Sequence, residues 1–182
     1  MCSMNQMISR MARAAKLDRD LYEEVETDTT ATGQAMGVVI LSSVAAGIGS
    51  FREGLPAAIV IGTLVSLISW YFWAFLTYVL GTKVFPEPQT QSNIGELLRT
   101  TGYSSAPGIL RVLGVVPGIA PVVFLAAAIW MLVSMVVAVR QALDYESTWR
   151  AVGVCVIGWM IQTLLILLVF QMSGTKLPVP QS

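Results

Sequence analysis

Arg111 is the one side chain whose type and place could do chemistry inside an otherwise apolar stretch. An Arg at the centre of a membrane helix costs about 2.5–3.5 kcal/mol on insertion scales, so such a residue faces a bundle interior or a cavity, or else reaches for a boundary. Two roles follow: a polar contact with substrate, lipid headgroup or partner, or a side chain that snorkels out of a short segment. The remaining inventory is thin. The chain has no His and two Cys, Cys2 and Cys155, so neither a His/Cys metal centre nor a triad with His as its base can be built. No Walker or Rossmann glycine pattern and no carboxylate pair suited to hydrolysis is present. No catalytic, cofactor-binding or metal-binding residue is therefore assigned, and no enzyme activity is expected. Ser66, Ser134 and Gln162 are polar positions in the long apolar runs. A hydrated path past them and Arg111 would make a small transporter or channel, although the carboxylates usual in ion coupling are missing.

The elements that must position these residues follow from charge. Of 182 residues only 12% are charged, while 55% are hydrophobic, against about 25% charged in a soluble domain. That excludes disordered, collagen-like and disulfide-rich classes. Eleven basic and eleven acidic residues cancel, which argues against a nucleic-acid partner. Charged residues are absent from Thr29 to Phe51, Gly54 to Thr82, Val112 to Val139 and Ala151 to Thr175. Each gap can contain the ~20 apolar residues that cross a ~30 Å hydrocarbon layer. Three give clear spans: Leu55–Leu80, Gly118–Val139 and Val152–Met172. The first gap is apolar only from about Gln34 to Ile48 and is rich in Gly, Ala and Ser, which suits helix contact better than lipid contact. A fifth apolar stretch, Ala106–Val116, carries Arg111 and is short; it is re-entrant, or it forms a tight hairpin through the Pro117-Gly118 turn signal. The expected fold is all-α: a polytopic helical bundle of five transmembrane segments, the third short.

Ahead of the spans, Met4, Met7, Ile8, Met11, Ala15, Tyr22 and Val25 make a helical stripe broken at Asp18. With Arg10, Arg13, Lys16 and Arg19 it reads as an amphipathic helix in the headgroup layer, or as a solvated cap on the bundle. Residues 1–33 then form a cytoplasmic segment, 34–173 the transmembrane domain and 174–182 a short tail. Lys and Arg counts favour the N-terminus inside, eight against two for five crossings and eight against three for four. Trp70, Tyr71, Trp73, Tyr78 and Trp149 stand near the span ends, as boundary aromatics do.

Two local patterns stand out. Gly33 with Gly37, and Ser43 with Gly47, place small residues four apart on the first span, a spacing that lets helices approach closely. Asn93 followed by Glu96 reads as a helix start with a capping box, opening a short inner-face helix with Arg99 and Tyr103 that leads through Pro107 into the Arg111 segment.

The order of these features resembles the Yip family of small multi-span membrane proteins. The resemblance rests on Ile94-Gly-Glu-Leu-Leu-Arg-Thr-Thr-Gly-Tyr103, Ala106-Pro107, Val116-Pro-Gly, Ile129-Trp130, Arg140-Gln-Ala-Leu and Ser147-Thr-Trp-Arg-Ala151. It implies five transmembrane helices, a cytoplasmic N-terminus and a C-terminus on the far side. The short N-terminal region is similar to that of prokaryotic members, which implies the cytoplasmic membrane; the alternative is a eukaryotic Golgi or ER membrane. GTPase binding belongs to eukaryotic members and is not carried to this chain. The expected role is a non-enzymatic scaffold, membrane organiser or accessory subunit. Its expected partners are the lipid bilayer and another membrane protein or a second copy.

Overall fold

The computed structural model describes residues 4–50 and 55–172. The expected tail 174–182, with Cys2, Arg52 and Lys176, lies outside them. Among the described residues all regular structure is helical. In chain order the helices are α1 (Met4–Ala15), α2 (Arg19–Thr27), α3 (Ala31–Gly49), α4 (Leu55–Val79), α5 (Ile94–Tyr103), α6 (Ala120–Ala142) and α7 (Thr148–Met172). A π turn, Leu80–Val84, continues α4, and a 3₁₀ helix, Ala106–Val115, follows α5.

Four helices are long and apolar enough to cross a membrane: Ala31–Gly49, Pro56–Val84, Ala120–Ala142 and Thr148–Leu168. They coincide with the four charge-free gaps, so this is an integral membrane bundle. The Arg111 segment is not among them, because it is ten residues of 3₁₀ helix. At about 2.0 Å per residue that geometry makes it roughly 20 Å long, where an α-helix would give about 15 Å. Glycines set its course. A β-carbon on Gly102 would meet Ala35, one on Gly108 would meet Ser42, and one on Gly114 would meet the backbone of Gly49. Residues 102–114 therefore run beside α3 in the same direction, from its second turn to its last. The chain reverses at Gly118, whose φ of 86° is open to glycine at little cost. Antiparallel to the 3₁₀ helix, α6 then brings Phe124 to Gly114 and Met131 to Gly108.

The stripe read in the N-terminal region becomes two helices. α1 ends before Leu17, and Asp18 caps α2 through the amide of Asp20. Asn93 and Glu96 form the expected capping box at the start of α5, where Asn93 Oδ1 accepts from the Glu96 amide at 3.1 Å and Glu96 Oε2 accepts from the Asn93 amide at 2.9 Å. The body of α5 is no surface element, since Leu97 to Tyr103 are all buried. α2 covers it on one side and α3 on the other.

Two apolar clusters hold the bundle. One joins α4, α5, α6 and α7 through Trp73, Leu97, Val139, Leu143 and Val154. The other joins α1, α2, α3 and α5 through Leu21, Tyr22, Val38 and Tyr103. Both lie toward the end where α3 begins. At the opposite end α4 from Pro56 to Ile68 and α7 from Trp159 to Leu168 contain no buried residue, so those halves stand in contact with hydrocarbon.

Candidate functional site

Arg111 is held by the bundle through its side chain. Its backbone carbonyl lies against Gly49, at the last turn of α3, yet its side chain turns back toward the middle of the bundle. Nε donates to the Gly108 carbonyl at 3.0 Å and Nη2 to Ser42 Oγ at 2.7 Å. Ser42 precedes Gly49 by seven residues, about 10 Å along an α-helix. The guanidinium is thus held beside the middle of α3. No carboxylate pairs with Arg111 among the described residues.

Two adjoining cavities meet at this side chain. One, about 430 Å³, lies between the 3₁₀ helix, α4, α6 and α7, and apart from Arg111 its walls are apolar and aromatic. It reaches the lipid-facing surface, because Leu132, Val156 and Trp159 in its wall are exposed. The other, about 270 Å³, is more polar, with Ser42, Ser43, Ser66, Ser69, Ser105 and Gln162 among the apolar and aromatic residues around Arg111. Trp73, Arg111, Met131, Met135 and Trp159 line both.

The expected polar path is therefore half assembled. Ser66 and Gln162 come together at Arg111, but Ser134 does not: its hydroxyl is 2.7 Å from the Tyr22 hydroxyl, buried under α2. Ser42, Ser69 and Ser105 were missed. Ser42 and Ser69 are polar residues in membrane spans and Ser105 precedes the 3₁₀ helix, and only the pairing of helix faces shows that they converge.

The small-residue pattern of α3 is split. Gly47 faces Ile59 of α4, Gly37 faces Met7 of α1, Gly33 has open space, and Ser43 donates to the Val39 carbonyl at 2.8 Å. The closest approach is at Gly49, where α3 meets the backbone of the 3₁₀ helix.

Arg99, Tyr103 and Pro107 are buried at the junction with the N-terminal helices. Arg99 Nε donates to the Val25 carbonyl at 2.8 Å and Nη2 to the Glu26 carbonyl, closing the exposed C-terminal carbonyls of α2. Tyr103 donates to Gln34 Oε1 at 2.5 Å. The same Gln34 oxygen accepts from Arg10, which is 4% exposed and pairs with Glu24 and Asp28, each at 2.8 Å. Arg13 pairs with Asp18 at 2.7 Å and also with Glu24. Two of the four basic residues expected to face anionic lipid are thus consumed by the acidic end of the same segment. Trp130 Nε1 donates to the Ala15 carbonyl at 2.8 Å, and Gln141 to Glu23 Oε1 at 2.9 Å, so α1 and α2 are fastened along α6 as well.

One carboxylate in this cap is out of balance. Burial pushes the half-buried Glu26 carboxyl up to about 7; Glu96, Asp144 and Glu23 add to the rise, and Arg99 opposes it. An acid with a raised folded pKa holds its proton more tightly folded than unfolded. It favours the fold at acid pH, and that advantage is lost as the pH rises from about 4.5 to about 7. The melting temperature is expected to fall between pH 5.5 and pH 8 on this account. Glu26→Gln should flatten that slope and raise stability at pH 8 by about 1–2 kcal/mol. An unchanged slope in the variant would assign it elsewhere. Asp18, Glu24 and Asp28 are held below the ordinary carboxylate range, so their contributions are lost only below this window.

Comparison with curated proteins and with solved structures gives no significant match. Among protein-family models, the one described as the Yip1 domain matches residues 19–170.

Proposed function

The chain belongs to the Yip family, and from that premise we propose that it works by contact. It acts as a non-enzymatic scaffold, membrane organiser or accessory subunit, with its N-terminal helices as the docking platform. One observation carries this reading: α1 and α2 are fastened to the bundle through one face, by the Arg10–Gln34 hydrogen bond, Tyr22 and Trp130, while Met4 and Ile8 on the other face of α1 are 66% and 56% exposed. A rigid surface bearing exposed apolar residues at the mouth of a membrane bundle suits a protein partner or the headgroup layer.

Five crossings underlie the platform. The run from α5 through the 3₁₀ helix parallels α3 from second turn to last, which supports its crossing the layer as α3 does. The N-terminus and α1–α2 then lie on one side and the C-terminus on the other. Counts of Lys and Arg favour a cytoplasmic location for the N-terminal side.

A photo-crosslinking residue at Ile8, in cells carrying a C-terminal tag, tests both parts. Discrete protein adducts are expected at Ile8 and none at the lipid-facing Val122, with the tag cut by protease added outside intact cells. Lipid adducts alone at Ile8 would remove the scaffold reading. A tag protected until lysis would remove the fifth crossing.

The transporter reading draws on the convergence of Arg111, Ser66 and Gln162 in one cavity. It is the lesser reading, because Ser134 is sealed by Tyr22 on the side that α1 and α2 cover.

A further inference from the structure

We propose that the paired cavities at Arg111 are a binding site for one anionic phospholipid, entering sideways between α6 and α7. The argument starts from the cation. A guanidinium offers five N–H donors in a planar fork. Gly108 and Ser42 take donors on Nε and Nη2, and no acceptor among the described residues meets Nη1. Holding a positive charge within the hydrocarbon layer with no carboxylate opposite is costly. A ligand carrying a phosphate relieves that cost, because phosphate matches the fork of the guanidinium.

The surroundings sort the rest of the ligand. Serines and Gln162 crowd the smaller chamber around Arg111, and they supply hydroxyl and amide donors for phosphate and glycerol oxygens. The larger chamber, about 430 Å³, lies within the range of small-molecule sites, about 300–1,000 Å³. Its aromatic and aliphatic walls suit an acyl chain, and its opening toward lipid past Val156 and Trp159 lets the second chain remain in the bilayer. A soluble anion would use only the polar half of the site. The amphipathic pair of chambers commits the occupant to a lipid. This site is independent of the docking platform, which lies at the end of the bundle where α3 begins.

Native mass spectrometry of the protein released from nanodiscs reads the occupant. Wild type is expected to retain one phosphatidylglycerol per chain, about tenfold over phosphatidylcholine at equal mole fraction. Arg111→Gln should bring the two lipids to parity, and Arg111→Lys should keep part of the preference. Ala128→Trp, which fills the apolar chamber and leaves the cation in place, should abolish retention of either lipid. Inorganic phosphate added at millimolar concentration should leave the lipid bound. Equal retention of the two lipids by wild type would overturn the proposal, whatever the variants do. So would displacement by phosphate, or a preference that survives Arg111→Gln. Should Arg111→Gln fail to fold, the wild-type preference and Ala128→Trp decide the matter.

Discussion

Gly49→Leu is expected to be the most damaging single substitution in the bundle, costing about 3 kcal/mol or more and leaving little monodisperse protein on size-exclusion chromatography. A β-carbon at this position would coincide with the Arg111 carbonyl, and Gly114 faces Gly49 across the same contact. Backbone meets backbone there, so no side chain can rotate aside and the whole 3₁₀ helix must retreat from α3. Two other glycines of the same helix calibrate the effect. Gly47→Leu meets only the side chain of Ile59, which can move, and should cost less. Gly33→Ala has open space and removes a poor helix former, so it should be neutral or stabilising by up to about 1 kcal/mol. Equal damage at Gly33 and Gly49 would mean that α3 and the 3₁₀ helix do not touch in this way.

Arg10→Met is the second large effect. Removing one partner of a buried pair costs about 3–5 kcal/mol where the remaining charge is fully enclosed. The Glu24 and Asp28 side chains keep 39% and 25% exposure, which discounts the figure to about 2–3 kcal/mol. The loss should be local first. With the clamp gone, α1 and α2 should lift from α3 and α6, and trypsin should cut at Lys16 and Arg19 while the spans stay intact. The neutralising variants Glu24→Gln and Asp28→Asn, combined with Arg10→Met, should add less than the sum of the single effects. Strict additivity would show that the three side chains do not act as one unit.

The spans were legible because a charge-free gap is a statement about solvent: no other reading accommodates so long an apolar run. The capping box at Asn93 was legible because its two residues act on each other across one turn. What lay beyond the sequence was partnership at a distance. Arg10 reads as a lipid-facing cation until Glu24 and Asp28 fold back onto it from α2. Leu97 to Tyr103 read as an amphipathic surface helix until α2 and α3 cover both sides. The Arg111 segment is short as read, but nothing in its composition states that its ten residues will take 3₁₀ geometry, or that its glycines will meet α3. Ser42 and Ser69 were lost because a serine in a span bonds its own helix or its neighbour equally well.

The far halves of α4 and α7 make the molecule stiff at one end and compliant at the other. A span whose hydrophobic length exceeds the bilayer answers by tilting, and the apolar span Pro56–Val84 runs for 29 residues, about 43 Å at the α-helical rise. Where the first cluster grips it through Trp73, Ala74 and Leu80 the helix has little freedom to tilt, so adjustment falls on Pro56–Ile68 and Trp159–Leu168. The Arg111 cavity sits at the seam between the two regimes, with Trp73 and Val136 buried in its wall and Val156 and Trp159 exposed to lipid.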